Sequence, residues 1–282
     1  INQFKKLKTI NCKGNLIDLS TPKVMGIINL TPDSFYDGGK LGSEKEIIYQ
    51  AEKMLKEGAT FLDLGGYSSR PGANFVSEAD ELSRVLPAVK TLIKEFPNVN
   101  LSIDTFRSKI AKTCIENGAC MINDISAGLL DPQMLEVIAN YQVPLVMMHM
   151  RGTPETMMLN TNYENLTNDI LYFFSERIAK ARALGINDII VDPGFGFSKK
   201  LDQNFELFND LELFSFLNTP ILIGISRKSM IQKTLNISAT ESLNGTTALH
   251  AIALQKGVSI LRVHDVKEAF ETINLLQNLK FH

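Results

Sequence analysis

What most constrains this chain is a recurrence. Short apolar runs, each ended by polar residues, alternate with amphipathic stretches of helical spacing; the runs fall at 24–30, 61–64, 101–104, 121–124, 143–148, 189–192, 221–224 and 260–263. A strand that is apolar along its whole length is buried on both faces, which requires a parallel sheet covered by helices. Eight such strands, each followed by a helix, are the number that closes a barrel. The fold expected is therefore α/β, a (β/α)8 TIM barrel, over residues 1–282 as a single domain, and a chain of 282 residues suits it. A doubly wound open sheet is the competing arrangement, but no Gly-rich dinucleotide fingerprint follows a strand to support it.

The helical stretches carry their own boundaries. Ser43 with Glu46 reads as a capping box, followed by an apolar face of Ile47, Ile48, Ala51, Met54 and Leu55 that stops at Gly58. Ser77 with Asp80 opens a helix whose face runs from Leu82 to Phe96, with Pro87 as an expected kink. Asp131 and Pro132 read as an N-cap and a first helical position. Later helices are expected over 166–181, 204–216, 241–256 and 266–279. Gly58, Gly118, Gly185 and Gly257 each end a helix just before a strand, a faint repeat of two strand–helix units per step. Before the first strand, two short apolar pieces flank Lys13-Gly14-Asn15 and predict a hairpin that plugs one end of the barrel.

Composition narrows the class of partner. With 44% hydrophobic and 21% charged residues the chain has ample material for a core. A net charge of −2 argues against a duplex nucleic-acid binder, which usually carries a strongly basic face. No apolar run is long enough to span a bilayer, and Lys5, Lys6 and Lys8 are not followed by a signal-peptide core, so a cytoplasmic protein with no membrane partner is expected. Cys12, Cys114 and Cys120 are odd in number and lack metal-ligand spacing, which fits reduced thiols.

Polar residues gather where the apolar runs end: Asn29, Asp63, Asp104, Asn123 with Asp124, His149 with Arg151, Asp192, Ser226-Arg227-Lys228, and Arg262 with His264. In a barrel these positions share one rim, the face that carries the chemistry. Any one of them also reads as a helix cap or a surface ion pair. Asn29 stands where a buried strand turns into the polar stretch 31–39, and its amide needs a partner, which a ligand, a metal or a turn supplies. Asp104, Asn123 and Asp192 suit a flat heterocycle bearing amine and ring N–H groups. Lys228, Arg227, Arg262 and His264, with Arg70 of the 65–73 loop, suit an anionic group such as a phosphate. Phe195 and Phe197, in the Gly-rich turn after Asp192, would flank a planar ligand or pack in the core. Met147, Met148, Met150, Met157 and Met158 read as core and lining, while His250 and His282 fall away from the rim. No Ser-His-Asp or Cys-His pair is apparent, so assistance to a departing anion is favoured over nucleophilic catalysis.

The segments NLTPDSFYDGG, DLGGYSSRPGA, LSIDTFRSK, MINDISAG, VPLVMMHMRGTP, VDPGFGF, IGISRKSMI, NGTTALHA and LRVHDV, in that order, resemble the bacterial dihydropteroate synthases. The resemblance implies a (β/α)8 barrel, usually a homodimer, that joins 6-hydroxymethyl-7,8-dihydropterin diphosphate to 4-aminobenzoate with Mg²⁺. By motif it makes Asn29 the Mg²⁺ ligand. It assigns Asp104, Asn123, Asp192, Phe197, Gly224, Lys228 and Ser229 to the pterin pocket, and Arg262 and His264 to the diphosphate. It puts Asp37, Ser69, Arg70 and Pro71 on two loops that close over bound substrates, with Asp37, Ser69, Arg70 and Lys228 as the catalytic set. It also implies a dissociative reaction in which diphosphate leaves before the amine attacks. One departure stands out: Tyr67 occupies the place where the family often has Glu, so the packing of the second loop is open. A pterin-binding module of methyl transfer, and a Schiff-base aldolase built on Lys228 beside Arg227, are the competing functions.

Overall fold

The structure, a computed structural model, describes residues 9–30, 39–67 and 75–279, with 39–43 described by their backbone alone. The chain opens on an antiparallel hairpin, β1 (Thr9–Cys12) and β2 (Asn15–Asp18). Its turn holds both Lys13 (φ 54°) and Gly14 (φ 85°) in the left-handed region, the backbone that matches a two-residue turn to the strand twist.

Eight further strands follow: β3 (Lys23–Asn29), β4 (Phe61–Gly65), β5 (Leu101–Asp104), β6 (Met121–Asp124), β7 (Leu145–Met148), β8 (Ile189–Asp192), β9 (Leu222–Ile223) and β10 (Ile260–Val263). They form one sheet in the order β8-β7-β6-β5-β4-β3-β10-β9, parallel throughout. A parallel bridge between Val191 and Ile221 joins its two ends, so the sheet closes into the expected barrel.

Around it lie α1 (Gly39–Lys56), α2 (Glu78–Glu95), α3 (Ser108–Glu116), α4 (Met134–Tyr141), α5 (Leu166–Ala183), α6 (Leu201–Asn209), α7 (Ser229–Leu235), α8 (Leu243–Gln255) and α9 (Val266–Gln277). The repeated glycines all take positive φ after their helices, between 83° and 108°. At Gly118 a Cβ would also stand 2.9 Å from Ile93, so both backbone and space demand glycine there.

Three local expectations change, and the start of α2 at Ser77 holds. Helix α1 begins at Gly39, which leaves Ser43 inside it and not at its cap. Helix α2 passes through Pro87 as one element, with Ser77 Oγ accepting from the Asp80 amide at its start. Pro132 lies ahead of α4; Asp131 instead accepts from the Gln133 amide (3.0 Å) and the Ser108 amide (2.7 Å), fastening α3 to the turn before α4. The stretch 204–216 divides into α6 and the 3₁₀ segment Leu211–Leu217.

The core has two main parts. One lies between barrel and helices. The other fills the N-terminal mouth, where Ile10, Cys12 and Leu19 cover Met25, Phe61, Met121, Val146, Ile190 and Ile260, residues at or near the starts of their strands. The hairpin is the stopper of the barrel, as its sequence predicts. All three cysteines are free and buried.

Candidate active site

Arg262, on β10, is the centre of the opposite rim. Its Nε donates to Asp63 Oδ2 (2.6 Å) and its Nη2 to Asp104 Oδ2 (2.8 Å). Asn123 Nδ2 donates to the same Asp63 oxygen at 3.0 Å. Four strands thus bring an amide, two carboxylates and a guanidinium into one network. Burial pushes Asp104 up to about 7, with Arg262 opposing and Asp63 reinforcing the shift. Burial also opposes the charge on Arg262, but Asp63 and Asp104 outweigh it and hold the guanidinium charged.

Two glycines keep this floor open. In the β3–β4–β5 register Gly65 lies between Asn29 and Asp104, and a Cβ on it would stand 3.7 Å from the Asp104 side chain. A Cβ on Gly224, after β9, would stand 3.9 Å from Arg262 Cδ.

The wall is the turn after β8. Asp192 accepts from the Gly194 amide at 2.8 Å; its burial raises its pKa and Lys228 opposes that. Lys228 immediately precedes α7, and Ser229 is that helix's first residue. The Lys228 ammonium donates to the Phe195 carbonyl and lies 4.5 Å from the centre of the Phe197 ring. Burial pulls Lys228 down to about 8, with Asp192 opposing. Phe195 is fully buried against Phe208, so it belongs to the core, while Phe197 lines the site beside Met148, Met150, Met157 and Ile125. Met147 is core, and Met158, 45% exposed, leaves the lining.

Some rim residues do other work. Arg227 gives a bidentate pair to Asp265 (2.9 and 2.5 Å), so it is neither a free phosphate cation nor the cause of the lowered Lys228 pKa. Arg151 pairs with Asp169 (3.0 Å) and lies 3.9 Å from the centre of the Tyr163 ring. Asp124 accepts from Ser126 and the Gly128 amide, closing a turn. The His264 amide donates to Ser226 Oγ at 3.2 Å, which sets the end of β10 beside the turn that follows β9. Asn29 is half-buried at the end of β3. Asp37, Ser69, Arg70 and Pro71 lie outside the described residues, as does His282. His250 is buried in α8, away from the rim.

A second network was not legible as a site. Buried Glu81 accepts from Thr105 Oγ1 (2.7 Å) and from Arg107, whose Nη2 donates to the Val76 carbonyl (2.7 Å). Tyr67 packs edge-on to Phe106 and lies beneath the Arg107 guanidinium. Its hydroxyl donates to Glu155 at 2.8 Å, and burial with that contact pushes its pKa up to about 12. The sequence signal was a charge on an apolar face: Glu81 falls in line with Val85, Ala88, Val89 and Leu92.

A parallel barrel whose C-terminal rim sets carboxylates and an amide against a guanidinium, beside a lysine on an aromatic face, is a site for a flat, hydrogen-bonding ligand with an anionic tail. The family model for pterin binding enzymes matches residues 25–264. Dihydropteroate synthase of Escherichia coli K12 is 42% identical over 267 residues, covering 94% of each chain. Among solved structures, Yersinia pestis dihydropteroate synthase in a sulfonamide drug complex superposes with a TM-score of 0.89 at 41% identity, over 95% of this chain and 98% of that one. The Thermus thermophilus enzyme in complex with 4-aminobenzoate gives 0.86 at 32% identity, over 97% and 100%. The chain belongs to the pterin-binding enzymes. Within that family its place is with the dihydropteroate synthases.

Proposed function

We propose that this chain condenses 6-hydroxymethyl-7,8-dihydropterin diphosphate with 4-aminobenzoate, giving 7,8-dihydropteroate and diphosphate for folate synthesis. The observation that carries the reading is the joined set of Asp63, Asp104, Asn123 and Arg262 facing the Asp192–Lys228 wall. In it Asp104, Asn123 and Asp192 take the donor-rich edge of the pterin, Phe197 and Gly224 bound its faces, and Lys228 with Ser229 closes the pocket. Arg262 and His264 take the diphosphate. Asp37, Ser69 and Arg70 cover the second substrate.

Mg²⁺ is part of the proposal. Among the described residues no group of three or more His, Cys, Asp or Glu is arranged to hold a metal. Mg²⁺ usually keeps several waters and substrate phosphates and takes one or two protein oxygens. Asn29, next to the open position at Gly65, offers such an oxygen. Asn29 would hold Mg²⁺ there, where the ion would supply charge neutralisation for the departing diphosphate.

The chain's own groups supply the rest. As the exocyclic C–O bond breaks, the electron pair leaves with diphosphate, which Arg262 and His264 hold. The cation left at the exocyclic methylene carbon, delocalised into the pterin ring, is met by the carboxylates of Asp104 and Asp192. The arylamine then attacks that carbon, forming the C–N bond, and releases one proton to solvent.

The test is turnover of both substrates with Mg²⁺, followed by product mass. No dihydropteroate despite tight pterin binding would favour the methyl-transfer type of pterin module instead. The Arg70→Ala variant sharpens the comparison, since lost turnover with retained pterin affinity supports the synthase. An aldolase reading is excluded by borohydride trapping that leaves Lys228 unmodified.

The proposed assembly is a homodimer in the cytoplasm. Leu275 stands exposed on α9 beside Leu243 and Thr247 of α8, on a face shared with Glu268 and Glu271, and light scattering reads the mass. No described helix is long and apolar enough to cross a membrane.

A further inference from the structure

Lys199 is the charged group that the reaction, as derived, does not use. It is 2% exposed, and no carboxylate ion-pairs with it among the described residues. Its three donors meet three acceptors: the Gly194 carbonyl (3.0 Å), the Phe197 carbonyl (2.9 Å) and His149 Nδ1 (3.1 Å). Burying an amine with no carboxylate in ion-pair contact is expensive, whereas a methionine of similar length would sit there at little cost. The core therefore gives no reason for a lysine at this position.

The reason lies in the turn that Lys199 holds. Gly194 (φ 74°), Gly196 (φ 80°) and Ser198 (φ 52°) alternate in the left-handed region. The Phe197 amide donates to the Gly194 carbonyl (3.1 Å) and the Gly196 amide to Asn204 Oδ1 (2.6 Å), and the rest of the hold comes from side chains outside the turn. Lys199 binds the carbonyls of Gly194 and Phe197, while Lys228 binds the carbonyl of Phe195 between them. One lysine faces the proposed pterin pocket and the other is sealed behind it. A shift of this turn would move the Phe197 ring and the Lys228 ammonium together.

We propose that Lys199 is a positioning residue of the pterin pocket, fixing from its buried side the turn that carries Asp192, Phe197 and the anchor of Lys228. The inference rests on the pterin reading of this rim. His149 completes it as the third acceptor: burial, with Lys199 and Arg151 nearby, keeps the imidazole neutral and so able to accept. The charged groups facing Lys199 are Asp192, Lys228 and Arg151, and those facing Asp192 are Lys228, Arg262 and Lys199. Burial pulls the Lys199 ammonium well below the ordinary lysine range, with Asp192 opposing. In its charged form Lys199 favours the ionised form of Asp192, an electrostatic signature that packing alone would lack.

The experiment is calorimetric titration of wild type, Lys199→Met and Lys199→Arg with the pterin diphosphate from pH 5 to 9, alongside steady-state kinetics in both substrates. Lys199→Met is expected to weaken pterin binding about tenfold or more, the scale of a lost charge-assisted hydrogen bond, while KM for 4-aminobenzoate moves less than about twofold. The acid limb of pterin binding should move to higher pH in Lys199→Met and stay near wild type in Lys199→Arg. If Lys199→Met shows no cooperative melt, Lys199→Gln, neutral but able to donate, carries the same comparison. Pterin affinity within about twofold of wild type, or equal losses in both variants with an unmoved acid limb, overturns the inference. Wild type that binds no pterin overturns the pterin reading itself, which is a separate result.

Discussion

Asp104 illustrates what the rim asks of a single residue. It is a carboxyl raised from 3.8 to about 7 by burial and by Asp63, despite a direct bond from Arg262. Because its folded-state pKa lies above the unfolded value, its contribution to stability is full below pH 3.8 and is lost as pH rises through about 7. Asp104→Asn should therefore flatten the fall in stability across that window, read by urea denaturation at several pH values. The same substitution should cost pterin affinity at pH 8, where the wild-type side chain is ionised. That Asp104 belonged to the rim was legible from its place at the end of an apolar run. That its charge is contested by Asp63 and Arg262, residues distant in the chain, was not. Arg227 makes the converse point: its place beside Lys228 suggested a phosphate cation, but Asp265 is in reach only after β10 and α9 are folded.

At the scale of elements, buried charges act as rivets. Glu81 on α2 is fully buried and paired with Arg107, which leads into α3. Arg107→Leu leaves that carboxylate uncompensated and should cost about 3–5 kcal/mol, whereas the double variant Arg107→Leu with Glu81→Leu should recover most of it. A double-mutant cycle by chemical denaturation checks this, and additive losses would refute the pairing. The turn after β8 gives a backbone counterpart. A Cβ on Gly194 would stand 2.1 Å from the His149 carbonyl oxygen, at φ 74°. Gly194→Ala should cost about 2 kcal/mol or more, and pterin affinity with it, as followed by thermal melts and calorimetry. Long helices were legible because their apolar faces repeat over several turns. Helix α7 was not, since seven residues hold barely two turns, too few to establish a period.

At the scale of the molecule the two barrel mouths divide the labour. The N-terminal mouth is sealed by the hairpin, with Ile10 1% exposed against the strand starts. The C-terminal mouth holds the polar network. Ile10→Ala should destabilise the fold by about 2–5 kcal/mol and leave pterin affinity within about twofold of wild type. Denaturation paired with calorimetry reads both quantities, and an affinity loss matching the stability loss would contradict the division.

The sequence by itself favoured the barrel, because eight strands apolar on both faces, each followed by a helix, are the number that closes one and no dinucleotide fingerprint supports the open doubly wound sheet, and it marked which strand ends share the rim. It also marked the hairpin through Lys13-Gly14 and the helix ends through their glycines, since these are local demands on φ that few residues meet. Only the tertiary structure decided which rim groups meet one another: Asp63 with Arg262 and Asn123, Arg227 with Asp265, Lys199 with His149. The physical reason is that burial is written in the chain as a period, whereas a charge pair depends on distances set only once the sheet has closed. Lys199 is the sharpest case: in the sequence it is one of two adjacent lysines after a Gly-rich turn, and folding alone sets it behind the pocket wall.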